Sequence, residues 1–188
     1  PLTVKGFLAF YVPLALTSVV ALSARPLLTV GIAQAPEALS SLAVWPVIMG
    51  YLFLFNSTAI AYQEVVISMI RLPGAENELT KFTAKLAVTL AALFGFTALT
   101  PIWHWWFSGI SGLSEDLLRH VEHPLWILTA TPILVAGVAW FRGRQVHRRN
   151  TVVITQAVGV NTVFMISAVL ILANVTELPG ATSASIAF

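Results

Sequence analysis

The chain has 188 residues, 57% of them hydrophobic and only 10% charged, with a mean hydropathy of +0.86. That is too little polar surface to cover a water-soluble globule of this length, so most of the surface faces lipid or other apolar helices. A pI near 9.3 raises nucleic-acid binding, but the placement of the basic residues argues against it, and zero cysteines exclude disulfides and thiolate chemistry.

Five continuous apolar stretches run at about Gly6 to Ala33, Leu42 to Ile70, Phe82 to Phe107, Pro124 to Phe141 and Thr151 to Val175. Each lies near or above the roughly 20 residues that a helix needs to cross the hydrocarbon of a bilayer. Because lipid leaves backbone amides and carbonyls unsatisfied, a spanning segment is a helix or part of a closed barrel, and barrel strands alternate over about ten residues. These runs do not alternate. The expected fold class is all-α: a single polytopic transmembrane helical bundle over residues 1–188, with about five spans, the start of a sixth and one outer interfacial helix.

In chain order, the first helix contains Pro13 and Arg25-Pro26 and is expected to kink. Ala35-Pro36-Glu37 turns into a second helix that Ser40 or Ser41 can cap; it carries Pro46 and is stopped by Leu72-Pro73-Gly74. Glu76 to Lys85 reads as a polar, partly helical connection. The third span ends in Trp103-His-Trp-Trp-Phe107, an aromatic belt. Ile110 to Val121 places Leu113, Leu117, Leu118 and Val121 on one side, as in a helix lying on the membrane surface. The fourth span is the shortest and contains Pro132, and an Arg-rich connection leads into the fifth. Leu178 to Phe188 reads as the opening of a sixth helix, and with Pro1 in place of Met the chain is expected to be a piece of something longer.

The basic residues fall in every second connection. Lys5 precedes the first span; Arg71, Lys81 and Lys85 follow the second; Arg142, Arg144, Arg148 and Arg149 follow the fourth; Arg119 alone lies on the other side. The positive-inside rule then puts the N-terminus and both basic connections in the cytoplasm, as for an integral protein of a bacterial inner membrane. The basic clusters read as topology determinants and contacts to membrane lipids rather than to nucleic acid.

Ionisable groups within spans cost on the order of 2.5 to 3.5 kcal/mol and need a partner or a water-filled cavity. Arg25 sits about 9 Å beyond the middle of the first span and Glu64 about 12 Å past the middle of the second, too far apart in depth to pair. Asn56, Gln63 and Glu64, spaced by seven and eight residues, share a face with Ala59 and Ile60 that is expected to point inward. In the fifth span, Gln156 lies near the depth of Glu64, and Asn161 near that of Asn56. These residues line a central cavity, or else the amides join helices at about 0.6 kcal/mol each and Glu64 lies at the interface. Arg25 is either a fixed cation for an anionic substrate or lipid phosphate, or a structural group that snorkels or binds carbonyls near Pro26.

His104, His120 and His123 share the outer side with Glu115, Asp116 and Glu122, where solvated loop histidines are the better reading than a metal site. No nucleotide loop, hydrolase elbow or zinc-protease motif is present, and Gly-x-x-x-Gly is absent too. The expectation is therefore no enzyme, no catalytic residue, no metal and no cofactor.

Tyr11-Val-Pro-Leu-Ala-Leu-Thr-Ser18, Ser23-Ala-Arg-Pro-Leu-Leu28, Ser41-Leu-Ala-Val-Trp-Pro46 and Gln63-Glu-Val-Val66 resemble the first two helices of MATE-like carriers of the multidrug/oligosaccharidyl-lipid/polysaccharide exporter superfamily, in its progressive-ankylosis-type branch. Trp140 to Arg144 looks like that family's connection between fourth and fifth helices. The resemblance covers the first 70 or so residues best. It implies two six-helix bundles facing each other in a V, and secondary-active export of small or lipid-linked substrates by alternating access. This chain would supply one bundle, with the remaining half or a second copy as its partner. A non-transporting membrane subunit that scaffolds a larger complex is the alternative.

Overall fold

A computed structural model describes residues 4–148 and 150–188, so Arg149 of the Arg-rich connection and the side chain of Lys5 lie outside what is described. The described chain is all-helical. Its elements are α1 (Val4–Gln34), α2 (Ala38–Met69), α3 (Ala75–Leu99), α4 (Ile102–Trp105), a π-helical turn (Trp106–Ile110), α5 (Glu115–Leu118), α6 (Glu122–Leu128), α7 (Thr131–His147), α8 (Thr151–Val175) and α9 (Gly180–Ala187). Among the described residues three helices, α2, α3 and α8, are long and apolar enough to cross a membrane, and the α5 to α7 segment makes a fourth if its 47° bend is one broken span. α1 is 31 residues long and its backbone stays helical through Pro26, but many of its side chains before residue 22 lie outside the description.

The breaks fall where the backbone cannot continue a helix. Glu37 takes a left-handed φ of 53° between α1 and α2, and Gly74 does so at 76° between α2 and α3, a conformation that glycine adopts without a Cβ penalty. Three boundaries differ from the sequence reading. The third helix ends at Leu99, because Thr100 is extended ahead of Pro101, so the aromatic run forms a separate short helix and π-turn. The fourth is cut after Leu128, and Pro132 lies in the first turn of α7, where its missing N–H costs nothing. The expected surface helix over Ile110 to Val121 shrinks to the single turn of α5, with Leu118 and Val121 buried in the core instead of facing lipid headgroups.

Contacts set the directions. Gly31 lies against Val169 and the Gly180 amide donates to the Pro36 carbonyl at 3.2 Å, so α1 and α8 run side by side in the same direction and α9 turns back beside their ends. Ala59 with Ala136, and Val66 with Gly143, set α2 and α7 parallel, while α3 returns antiparallel to α2. The end that holds α9, Trp45, Trp103 and Trp106 is the aromatic end; the other, with Arg71, Lys81 and Arg144, is the basic end.

At the aromatic end one core joins α1, α2, α3, α6, α8 and α9 through residues such as Ile32, Ile48, Phe94, Leu125, Val169 and Ala184. α9 is small and almost wholly buried, and a Cβ on Gly180 would come within 2.8 Å of the Ile32 carbonyl oxygen. Toward the basic end two smaller clusters of α2, α3 and α7 take over. Between lipid-embedded helices the hydrophobic effect gives little drive to associate, so close backbone approach matters. Ala136, Ala139 and Gly143 supply it along one side of α7, and a Cβ on Gly143 would sit 2.7 Å from Val66. This stripe is the equivalent of the motif the sequence lacks in Gly-x-x-x-Gly form.

Candidate functional site

The core face of α2 runs through Ile48, Leu52, Ala59, Tyr62 and Val66. Asn56 lies at the edge of that face and is buried, and its Oδ1 accepts no hydrogen bond. Gln63 is half-buried, with its backbone carbonyl facing Gly143. Ile60 and Glu64 lie past the edge and are exposed. The polar face expected on this helix therefore points inward only at Asn56 and in part at Gln63, because the centre of packing lies on the Ala59, Tyr62 and Val66 side, toward α3 and α7.

On α8 the residues Val158, Thr162, Met165, Val169 and Ala173 form the buried face. Gln156 and Asn161 are exposed. Five residues apart, they diverge by about 140° around the helix and project in different directions. Asn161 lies ten residues into the helix, about 15 Å from its start.

Arg25 of α1 is exposed, and no carboxylate among the described residues pairs with it. Its carbonyl accepts a 3.1 Å hydrogen bond from the Thr29 hydroxyl. With Gly31 beside Val169 on a parallel neighbour, Arg25 is level with about residue 163 of α8, and so within about 3 Å of the height of Asn161. The fold thus brings Arg25 and Asn161 to one depth on adjacent helices. It does not unite them with the α2 group, since α8 packs on α1 and α9 rather than on α2. Two surface depressions, one between α2 and α3 and one on α8 around Gly159 and Phe164, include none of the six residues.

The histidines scatter. His104 Nε2 is 3.5 Å from Glu115, His120 Nε2 is 2.7 Å from Glu37, and His123 meets the ring of Trp126. His120 is held from its other side by the Asp116 carbonyl at 3.2 Å, so it links the turn after α1 to the end of α5.

Sequence reasoning missed two contacts at the basic end. The half-buried Arg144 pairs with Glu76 at 2.7 Å and lies 5.2 Å over the ring of Trp140, which ties the end of α7 to the start of α3. Opposite charges in the last turn of one helix and the first turn of another, both at the same end of the bundle, were the available signal. The Tyr62 hydroxyl donates to the Leu79 carbonyl at 3.0 Å and lies 2.9 Å from the Thr83 hydroxyl, pinning α2 to α3. Nothing in the sequence marked Tyr62 as different from other interior aromatics.

No protein-family model, no curated protein and no solved structure matches this chain.

Proposed function

We propose that the chain is one helical bundle of a secondary-active membrane transporter or flippase of the MATE-like type, exporting small or lipid-linked substrates by alternating access. In this reading it crosses a bacterial inner membrane five times, with the N-terminus and the basic end in the cytoplasm, and α9 begins a sixth helix. The observation that carries the proposal is that Arg25 and Asn161, level with each other deep in their helices, are exposed on the surface of this bundle. Hydrocarbon disfavours a guanidinium or amide there, so that surface needs water or protein against it. A facing bundle across a shared hydrated cavity, supplied by the other half of the carrier or a second copy, provides both. Glu64 and Gln156, also exposed, lie nearer the basic end and would line the mouth of that cavity.

A second reading, a non-transporting subunit that scaffolds a larger membrane complex, is favoured by a different observation. Among the described residues Asn56 is buried while Arg25, Glu64, Gln156 and Asn161 are exposed on three different helices, and Gln156 and Asn161 point apart. In that case separate partners cover separate polar patches.

These 188 residues hold no cysteine, so single cysteines at positions 25, 64, 156 and 161 give a direct test in the whole protein in its native membrane, with any cysteine elsewhere in it first replaced by serine. A hydrated cavity predicts that Arg25→Cys and Asn161→Cys react with a water-soluble maleimide in intact membranes. If all four cysteines stay silent there and react only after denaturation, the transporter reading fails and the subunit reading stands. In the transporting protein, Glu64→Gln with unchanged pH dependence of transport would remove Glu64 as the coupling carboxylate.

A further inference from the structure

At the basic end, α2 and α3 leave a groove of about 390 Å³ between them, within the range of small-ligand clefts. Tyr62, buried and bonded to Leu79 and Thr83, lines it where α2 meets α3. Val65, Met69 and Phe82 are apolar, exposed and line it, while Glu78, Lys81 and Lys85 edge it. Lys81 Nζ is 2.8 Å from the Glu78 carboxylate, and that pair is neutral. Lys85, one turn further into the span, feels Glu78 only at a distance and makes no direct ion pair among the described residues, so the three charges sum to one positive. The groove therefore combines an apolar wall with one uncompensated positive charge. For its ammonium to reach a polar partner, Lys85 must extend back toward the interface, with its methylenes beside the apolar wall.

We propose that this groove binds one anionic phospholipid. Its phosphate sits at the level of Lys81, where the Lys85 ammonium reaches it, and its glycerol and first methylenes run along Phe82 and Val65. Charge and surface select this occupant. A singly charged phosphodiester neutralises the groove's net single positive charge, the apolar wall lies between helices long enough to span a membrane, and basic pockets between such helices recognise anionic headgroups. A free phosphate would leave the apolar wall uncovered. The inference does not depend on the transporter reading, because it concerns the outer flank of α2 and α3 and its readout is lipid binding.

The test is native mass spectrometry of the purified, delipidated whole protein titrated with phosphatidylglycerol, phosphatidylcholine or inorganic phosphate. One phosphatidylglycerol should be retained in preference to phosphatidylcholine. Lys85→Gln should weaken retention about five-fold, the factor expected for one lysine near an anionic lipid surface. Lys85→Arg, which keeps the charge, should restore it, and Glu78→Gln, which frees Lys81, should strengthen it. Equal retention of phosphatidylcholine, competition by millimolar inorganic phosphate, or undiminished binding in Lys85→Gln with native helicity would each overturn the proposal.

Discussion

The two ends of the bundle are held together by different chemistry. At the aromatic end Tyr51 packs its ring 5.4 Å from Phe55, 5.9 Å from Phe94 and 5.2 Å from Phe107, and Trp45 meets Phe188 of the closing segment at 6.4 Å. These rings and α9 join the α1/α8 pair to α2, α3 and α6 in one core. Toward the basic end, among the described residues, α2, α3 and α7 pack together through alanines, Gly143, the Tyr62 hydroxyl and the Arg144–Glu76 pair. The difference sets an end packed by large rings against one packed by small residues and a few polar ties.

Substitutions can break this comparison. Phe94, fully buried among rings, is expected to lose about 3 kcal/mol on truncation to alanine, read as a lowered Tm of the helical signal in detergent. Phe96→Ala, two residues away on the exposed side, should change little, and equal losses for the two would mean that the aromatic core is not what holds that end. At the basic end Gly143→Val should cost about 1 to 3 kcal/mol by pushing α7 off Val66. Gly137→Val, with open space where its Cβ would go, serves as the control, and matching effects would remove the close-approach argument. The smallest effect is expected from Tyr62→Phe, about 0.6 kcal/mol for a lost interhelical hydrogen bond within the membrane. A loss as large as that of Phe94→Ala would show that the basic end is anchored as firmly as the other.

Much of the architecture was legible in the residues. Continuous apolar runs without alternation announced helices, and Pro36-Glu37 and Leu72-Pro73-Gly74 marked turns that the backbone makes there. Less legible was anything that depends on which neighbour a helix meets. The run from Phe82 through Phe107 is predominantly apolar on both sides of Pro101, so hydropathy could not reveal that Pro101 ends one helix and that Phe107 enters the core. Asn56 and Glu64 belong to one sequence-defined face, yet one is buried and the other exposed, because small residues on α7 drew the packing centre to one side of them.

By itself the sequence determined that this is an all-helical chain with helices able to cross a membrane, since hydrocarbon demands long apolar runs whose backbone bonds close within the segment. Tertiary structure alone decided the 47° break between α6 and α7, the burial of α9 and the division into a ring-packed and a small-residue end. It also decided that Arg25 meets Asn161 in height while the α2 residues stand elsewhere. The physical reason is that an apolar helix in an apolar solvent has no preferred inner face of its own. Shape complementarity between side chains chooses that face, and it exists only once the neighbours are in place.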